Sequence, residues 1–508
     1  MLNLFKSQSD SIFSNSKSLQ NVISDIPKND AVKSLEEIHD WLETLSSDQS
    51  LRPADRASSL TMLDDAARNF ERKAARELFS SPLSAFSTQR ISTLLKSFHQ
   101  KLARSYYSVF NSVVCSEKGS GQIKPSASII IGRGVFSIAN EIKYSAFQYR
   151  AVPPDVASML CIYFHQAESL GILDAPVNLY PGLDTISIRK LFATLFLWWA
   201  SGVEAMEQQQ MHISEMIVSH ISSHLTLCDF QSDDSLFYFD ISNPSPPMRV
   251  TKDSVGNSKA RYIGLGSSVA PLDLLRQSLD KGIVPSGISS GISSGTTLSP
   301  DAVRETLRKL LSLWESKPPS RRGARVSVDV KMRVVQNLPS LIDQIGHGIS
   351  FGDEETMQTW VAEDISVNGF KCIVKPSQCG DITVGSIVGF QPENITHWGC
   401  GITRRMRKTD QNNIDIGVEL LSNRAEGVLL SESCSDNHSS ECYHGILIPS
   451  GPTNKDIRVL AKSSIFSGQS TMSICDGDGY ISLGIPTSCV NGYDYDIFTF
   501  NQASKLSP

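Results

Sequence analysis

No stretch of this 508-residue chain stays apolar for the roughly 20 residues a helix needs to cross a bilayer. The most apolar run, Leu191–Val203, is too short, and its composition predicts a buried helix. An excess of basic residues is lacking too. Lys and Arg number 47 against 53 Asp and Glu, and the net charge of −6 excludes a general affinity for nucleic acid, so any anion site must be local. The ten cysteines contain no C-x-x-C pair, which fits thiols kept reduced in a cytoplasm. Cys434, His438, Cys442 and His444 have metal-ligand side chains, but their spacing matches no zinc pattern and the segment between them has the composition of a solvated loop. The opening MLNLFKSQSDSIF lacks the basic region, apolar run and small-residue cleavage site of a secretory signal, so none is expected. Catalytic signatures are missing as well: G-x-S-x-G, H-E-x-x-H and the phosphate loop G-x-x-x-x-G-K-[ST] do not occur, and the histidines are mostly isolated. DGDGY at Asp476–Tyr480 lacks the later glutamate of a calcium loop, and Asp64 and Asp65 stand among basic residues as a solvated helix surface would. An enzyme in the N-terminal region has no residue-level support, and no metal or resident cofactor is expected.

What is present is the composition of an ordinary globular chain, 40% hydrophobic and 20% charged, with length for about three domains. The fold class expected is α+β and multidomain, a mostly helical N-terminal domain followed by a C-terminal antiparallel β-barrel with extra strands. In SLEEIHDWLETL, Ser34 and Glu37 have capping-box spacing, and Leu35, Ile38, Trp41, Leu42 and Leu45 share one helical face. A second helix is expected behind Pro53, a third along Ile91, Leu94, Leu95, Phe98, Leu102 and Val109, and others at Pro154–Glu168 and Ile188–Ser222. The helical domain thus spans 1–222. Short aromatic and β-branched runs predict a small mixed β/α segment over 223–285. The tandem GISSGISSG opens a Ser/Gly linker and connecting helix over 286–320, with Ser299 as N-cap, Pro300 in the first turn and Pro318 and Pro319 as the stop. Beyond it the period changes to two: Val326, Val328, Val330, Met332 and Val334 point one way and Ser327, Asp329, Lys331 and Arg333 the other. Further strand-like runs predict a barrel over 321–425, with TDQNN as a hairpin connection, and a β extension over 426–508.

Three arginines, Arg321, Arg322 and Arg325, gather at the mouth of the alternating strand. They make R-x-x-x-R from Arg321 to Arg325, and D-x-S-x-x-G follows in Asp364, Ser366 and Gly369. Each half is common by chance; both in order around a strand are far more specific. The stretch Arg321–Leu421, with its closing GITRRMRK and IDIGVELL, resembles the PilZ domain, the bacterial receptor module for the second messenger cyclic di-GMP. The resemblance implies a cytoplasmic receptor that binds cyclic di-GMP with Arg321, Arg322, Arg325, Asp364, Ser366 and Gly369. It leaves the N-terminal two-thirds to meet a protein partner, with no nucleic acid bound and no stable membrane insertion.

The chemistry agrees. Arginine's planar fork pairs with phosphate or with guanine O6 and N7, and a carboxylate accepts from the guanine N–H groups opposite. Ser366 serves a phosphate or holds the turn, and Gly369 supplies a backbone conformation or a close approach that a Cβ would block. The segment from Gln336 to Gln358 stands as an insertion between the two half-motifs. RRMRK at Arg404–Lys408 would alternate on a strand, Arg405 and Arg407 opposite Arg404, Met406 and Lys408, and is expected at a solvated sheet edge, with a rim to the same site as the alternative. The alternative to a receptor is a scaffold protein with a degenerate, non-binding barrel. No segment matches the enzymes that make or degrade cyclic di-GMP.

Overall fold

The computed structural model describes residues 12–48, 50–80, 83–118, 120–251, 259–289, 298–315, 324–346, 357–380, 382–409, 413–433, 441–448, 456–476, 479–492 and 494–501. Its contacts divide the chain into two units, Met1–Val203 with Gln208–Pro319, and Glu204–Glu207 with Ser320–Pro508. No helix among the described residues is long and apolar enough to cross a membrane.

In the first unit, α1 (Ser16–Ser24) leads into α2 (Ala31–Ser47). Asp30, not Ser34, caps α2: its carboxylate accepts from the Lys33 amide at 3.0 Å. Ser34 lies a turn inside, fully buried, where its hydroxyl has to be satisfied internally and donates to the Asp30 carbonyl at 2.6 Å. The stripe Leu35, Ile38, Leu42 and Leu45 is buried as the spacing predicts. Helices α3 (Pro53–Ser80), α4 (Ala85–Val114) and α5 (Ala127–Phe147) complete the bundle, α4 packing against both neighbours. Then come α6 (Pro154–Ser169), the short strands β1 (Pro176–Val177) and β2 (Ile186–Ser187), α7 (Ile188–Ala200) and α8 (Gln208–His220). The single helix expected over Ile188–Ser222 is therefore two, broken where Gly202 adopts φ +68°, the left-handed conformation that ends helices.

Strands β3 (Thr226–Cys228), β4 (Ser235–Asp240), β5 (Met248–Arg249) and β6 (Ala260–Gly264) form an antiparallel sheet in the order β3-β6-β4-β5. Phe239 of β4 docks it on the helices, its ring 4.2 Å from Phe196 of α7 and 5.2 Å from Phe164 of α6. Helices α9 (Val269–Asp280), α10 (Ser286–Ser289) and α11 (Pro300–Trp314) follow. Most of the Gly/Ser tandem, with Pro318 and Pro319, lies outside the described residues.

Asp65 is exposed, as a solvated helix surface would have it, but Asp64 is not. Asp64 is 3% exposed, accepting from Tyr106 at 2.6 Å and Tyr180 at 3.1 Å, with Arg133 at 3.3 Å. Burial raises the Asp64 carboxyl above its usual range, offset in part by Arg133. Two turns on, Glu71 is paired with Arg68 and lies 3.3 Å from His99. Burial alone would raise Glu71, but Arg68 and then His99 outweigh it and hold the carboxyl at about 2.

A depressed folded pKa gives stability that is present above the ordinary value of 4.5 and is lost as pH falls toward about 2. The urea midpoint of this unit should therefore drop across that window, by the equivalent of about 3 kcal/mol from this group. Asp64 acts in the opposite sense, so the measurement is the difference between wild type and Glu71→Gln, whose acid dependence should be flatter.

The second unit begins its described part with β7 (Val326–Gln336) and α12 (Leu338–Gly346), the latter within the insertion between the half-motifs. With β8 (Gln358–Ser366), β9 (Gly369–Val374), β10 (Ile387–Pro392), β11 (Gly399–Lys408) and β12 (Ile414–Ser422), β7 closes a six-stranded antiparallel barrel in the order β10-β11-β12-β9-β8-β7. Met332, Val334, Trp360, Ala362, Phe370, Cys372, Met406, Ile416 and Val418 fill its interior. The expected apolar row on β7 is sealed only at Met332 and Val334. A register shift between Ser327 and Val330 opens its start, where Val326 is 64% exposed.

Strands β13 (Glu426–Ser433), β14 (Tyr443–Ile448), β15 (Ile457–Lys462), β16 (Thr471–Asp476), β17 (Gly479–Gly484), β18 (Ser488–Asn491) and β19 (Tyr495–Phe500) make a second antiparallel sheet, ordered β17-β16-β13-β14-β15-β19-β18. Leu338 and Leu341 of α12 join Ile402 of the barrel and Ile446, Ile448 and Leu460 of this sheet in one core. The inserted helix thus fixes the extension to the barrel.

Candidate functional site

The β8–β9 hairpin gathers the second half-motif. Pairing runs Asp364 opposite Lys371, Ile365 opposite Phe370 and Ser366 opposite Gly369. Because Phe370 is buried inside the barrel, alternation turns Asp364, Ser366 and Gly369 to the outer surface. Ser366 holds the turn, its hydroxyl donating to the Gly369 carbonyl at 3.1 Å. Gly369 is there for close approach and not for an unusual φ: a Cβ would stand 2.0 Å from the Val418 carbonyl oxygen of the neighbouring strand.

The first half-motif reaches the same place. Ser327 of β7 pairs with Asp364, so Arg325, two residues earlier, arrives beside it, and its Nη1 donates to Asp364 Oδ2 at 2.8 Å. The side chains are 50% and 21% exposed. The other oxygen, Asp364 Oδ1, is buried and accepts no hydrogen bond among the described residues. Half of this carboxylate is thus engaged and half is an acceptor in waiting. Arg321 and Arg322 lie outside the described residues.

Farther round the barrel, the basic run of β11 departs from the alternation expected of it. A register shift between Thr403 and Arg405 inserts Arg404 as an extra residue, so Arg404, Arg405 and Arg407 are all exposed while Met406 is buried. Nor is β11 an edge, since it pairs with β10 and β12 in a closed barrel and has no unpaired backbone to protect. Arg404 is held by Glu419 at 2.6 Å. Arg405 has no ion-pair partner among the described residues and opposes Gly417, which opposes Lys371, which opposes Asp364.

That cross-strand row makes a strip with Asp364 at one end and Arg405 at the other. Its middle is low: a Cβ on Gly417 would meet nothing closer than Arg405 Cβ at 3.5 Å, so the space above that glycine is open. Lys371 is tied down by Glu363 at 2.9 Å and Asp415 at 3.3 Å; the hydrogen bond to Glu363 and the charge of Asp415 raise its pKa. The exposed part of the strip offers a carboxylate, Asp364, at one end and guanidinium groups, Arg325 and Arg405, as hydrogen-bond donors to an anion; Asp364 Oδ1 becomes available to a ligand only if the carboxylate turns outward. The bulge that exposes Arg405 beside Arg404 is invisible in local alternation.

Elsewhere, a cleft of about 220 Å³ in the first unit is lined by Glu168, Asp174, Arg189 and Asp229, but Asp174 and Arg189 pair bidentately at 2.7 and 2.8 Å. No group of His, Cys, Asp and Glu placed to hold a metal ion occurs among the described residues. No curated protein matches the chain. Residues 17–232, from α1 to just beyond β3, match the family described as the N-terminal domain of the cyclic-di-GMP receptor FimW.

Proposed function

We propose that the chain is a cyclic di-GMP receptor in which the PilZ-like barrel holds the ligand and the helical region carries the signal to a protein partner. The observation that carries this reading is the agreement of two stretches with no residue in common. The family match ends at residue 232, and the ligand motif begins at Arg321.

In this reading Asp364 accepts from the N1 and N2 donors of one guanine. Arg325, with Arg321 and Arg322, grips a guanine O6/N7 edge or a phosphate. Ser366 and Gly369 keep the floor of the site flat, and Arg405 reaches the second half of the ligand across the Gly417 gap. The guanidinium of Arg325 is held by one hydrogen bond to Asp364 and has further N–H groups to give. The ligand therefore remodels an existing ion pair and does not have to order a free side chain. The chain from Trp314 to Arg325 joins α11 to β7, so capture of these arginines acts directly on the segment leading back to the helices.

Thermal unfolding with and without ligand tests the reading. Cyclic di-GMP at about a hundredfold excess over its Kd should stabilise the barrel by about 2.7 kcal/mol and shift its unfolding upward by several degrees, with no shift from GTP. Arg405→Ala should leave the unliganded midpoint unchanged and weaken binding about tenfold, the loss of one charged contact. Equal binding by wild type and Arg405→Ala would remove Arg405 from the site. Absence of any shift for folded wild-type protein would favour the scaffold alternative.

A further inference from the structure

We propose that Cys442 and Cys475 are a redox-active pair that closes to a disulfide and staples β14 to β16 across β13. Their sulfurs lie 2.8 Å apart, on residues 33 positions apart in the chain. The sheet topology brings them together: β13 runs between β14 and β16, and its Leu429 opposes both His444 and Cys475. Cys442 stands immediately before β14, two residues ahead of His444.

The pair is open to a reagent, as are the exposed Cys115 and Cys489 and the half-buried Cys228, and what singles it out is the second sulfur close by. Cys442 is exposed and Cys475 half-buried, whereas Cys161, Cys372, Cys379 and Cys400 are buried. Burial also pushes the Cys372 and Cys400 thiols up to about 12, and the contact with Cys475 raises the Cys442 thiol too, so access and the neighbouring sulfur, not acidity, favour this pair. A disulfide needs the sulfurs at about 2.0 Å and close Cα atoms, so closure draws the residue ahead of β14 toward β16.

The oxidant is a small-molecule disulfide. The Cys442 thiolate attacks one of its sulfurs, forming a mixed disulfide and releasing one thiolate. The Cys475 thiolate then attacks the Cys442 sulfur, forming the protein disulfide and releasing the second. Two cysteine protons are lost, two small thiols form, and two electrons pass from the protein to the small disulfide. The link bridges strands on both sides of β13 and restricts the unfolded chain, so the oxidised protein is the more stable form.

The full chain, equilibrated in buffers of varied reduced-to-oxidised glutathione ratio, is trapped with iodoacetamide and cut with glutamyl endopeptidase and trypsin, the latter cleaving between Cys442 and Cys475. Cleavage after Glu441 separates Cys434 from Cys442. The expected result is a Cys442–Cys475 crosslink that rises with oxidised glutathione, reverses with dithiothreitol and raises the unfolding midpoint of this unit by several degrees. Cys442→Ser and Cys475→Ser should each remove crosslink and shift together, while Cys434→Ser leaves both. Full alkylation of Cys442 and Cys475 at every ratio, or a crosslink from Cys434 in their place, would overturn the proposal.

Discussion

Replacement of Asp364 by alanine should weaken cyclic di-GMP binding at least a hundredfold, and Arg325→Ala should do the same, with little change in the stability of the barrel. The two effects separate because of where the pair sits. With side chains 50% and 21% exposed, an ion pair at 2.8 Å is worth about 0–1 kcal/mol to the fold. Binding is different on the proposed reading, in which guanine's N–H donors lose the carboxylate assigned to them and each unsatisfied or charged hydrogen bond costs about 1.5–3 kcal/mol. Asp364→Asn keeps the shape but turns one acceptor into a donor facing the ligand's own donors, so it should bind almost as poorly as the alanine variant. Calorimetric titration gives the affinities and a urea curve gives the stabilities. Variants that bind normally would remove these residues from the site, and variants that unfold would mean the ion pair is structural.

The second large effect lies in the helices. Asp64→Ala should destabilise the N-terminal unit by about 3–5 kcal/mol, because it strips the counter-charge from Arg133, which is 5% exposed, and the acceptor from Tyr106 and Tyr180. Arg133 keeps a 2.8 Å contact to Asp65 and a hydrogen bond to the Leu179 carbonyl at 2.9 Å, so the unit should loosen and not collapse. Adding Arg133→Met to Asp64→Leu should recover part of the loss, since an apolar pair no longer buries an unpaired charge. Urea denaturation followed by helical circular dichroism measures all three. A loss under about 1 kcal/mol for Asp64→Ala would show that water reaches the network.

Asp64 also shows why some of this molecule was legible in its sequence and some was not. An aspartate among basic residues on a helix reads as surface, and the partners that bury it are 42, 69 and 116 residues away. Helix α5 escaped for a related reason: it is buried almost all round, so no apolar stripe appears. It also carries Gly132 and Gly134, where a Cβ would come within 2.5 Å of Leu179 and of Tyr163. Those glycines look like helix breakers in the sequence and are packing devices in the structure.

By contrast, α2 and the sealed half of β7 each put one face to the core and one to water, so their periods were visible. Arg325 and Asp364, expected from the sequence to belong together, form an ion pair although 39 residues separate them. The bulge that turns Arg404 and Arg405 outward together depends on pairing with β12, and no local pattern encodes that register.

The measurement that tests the account most directly is calorimetric titration of the full wild-type chain with cyclic di-GMP, beside a GTP control. The account predicts saturable binding at micromolar affinity or tighter, absent with GTP and lost in Asp364→Ala. No binding by folded wild-type protein would contradict it.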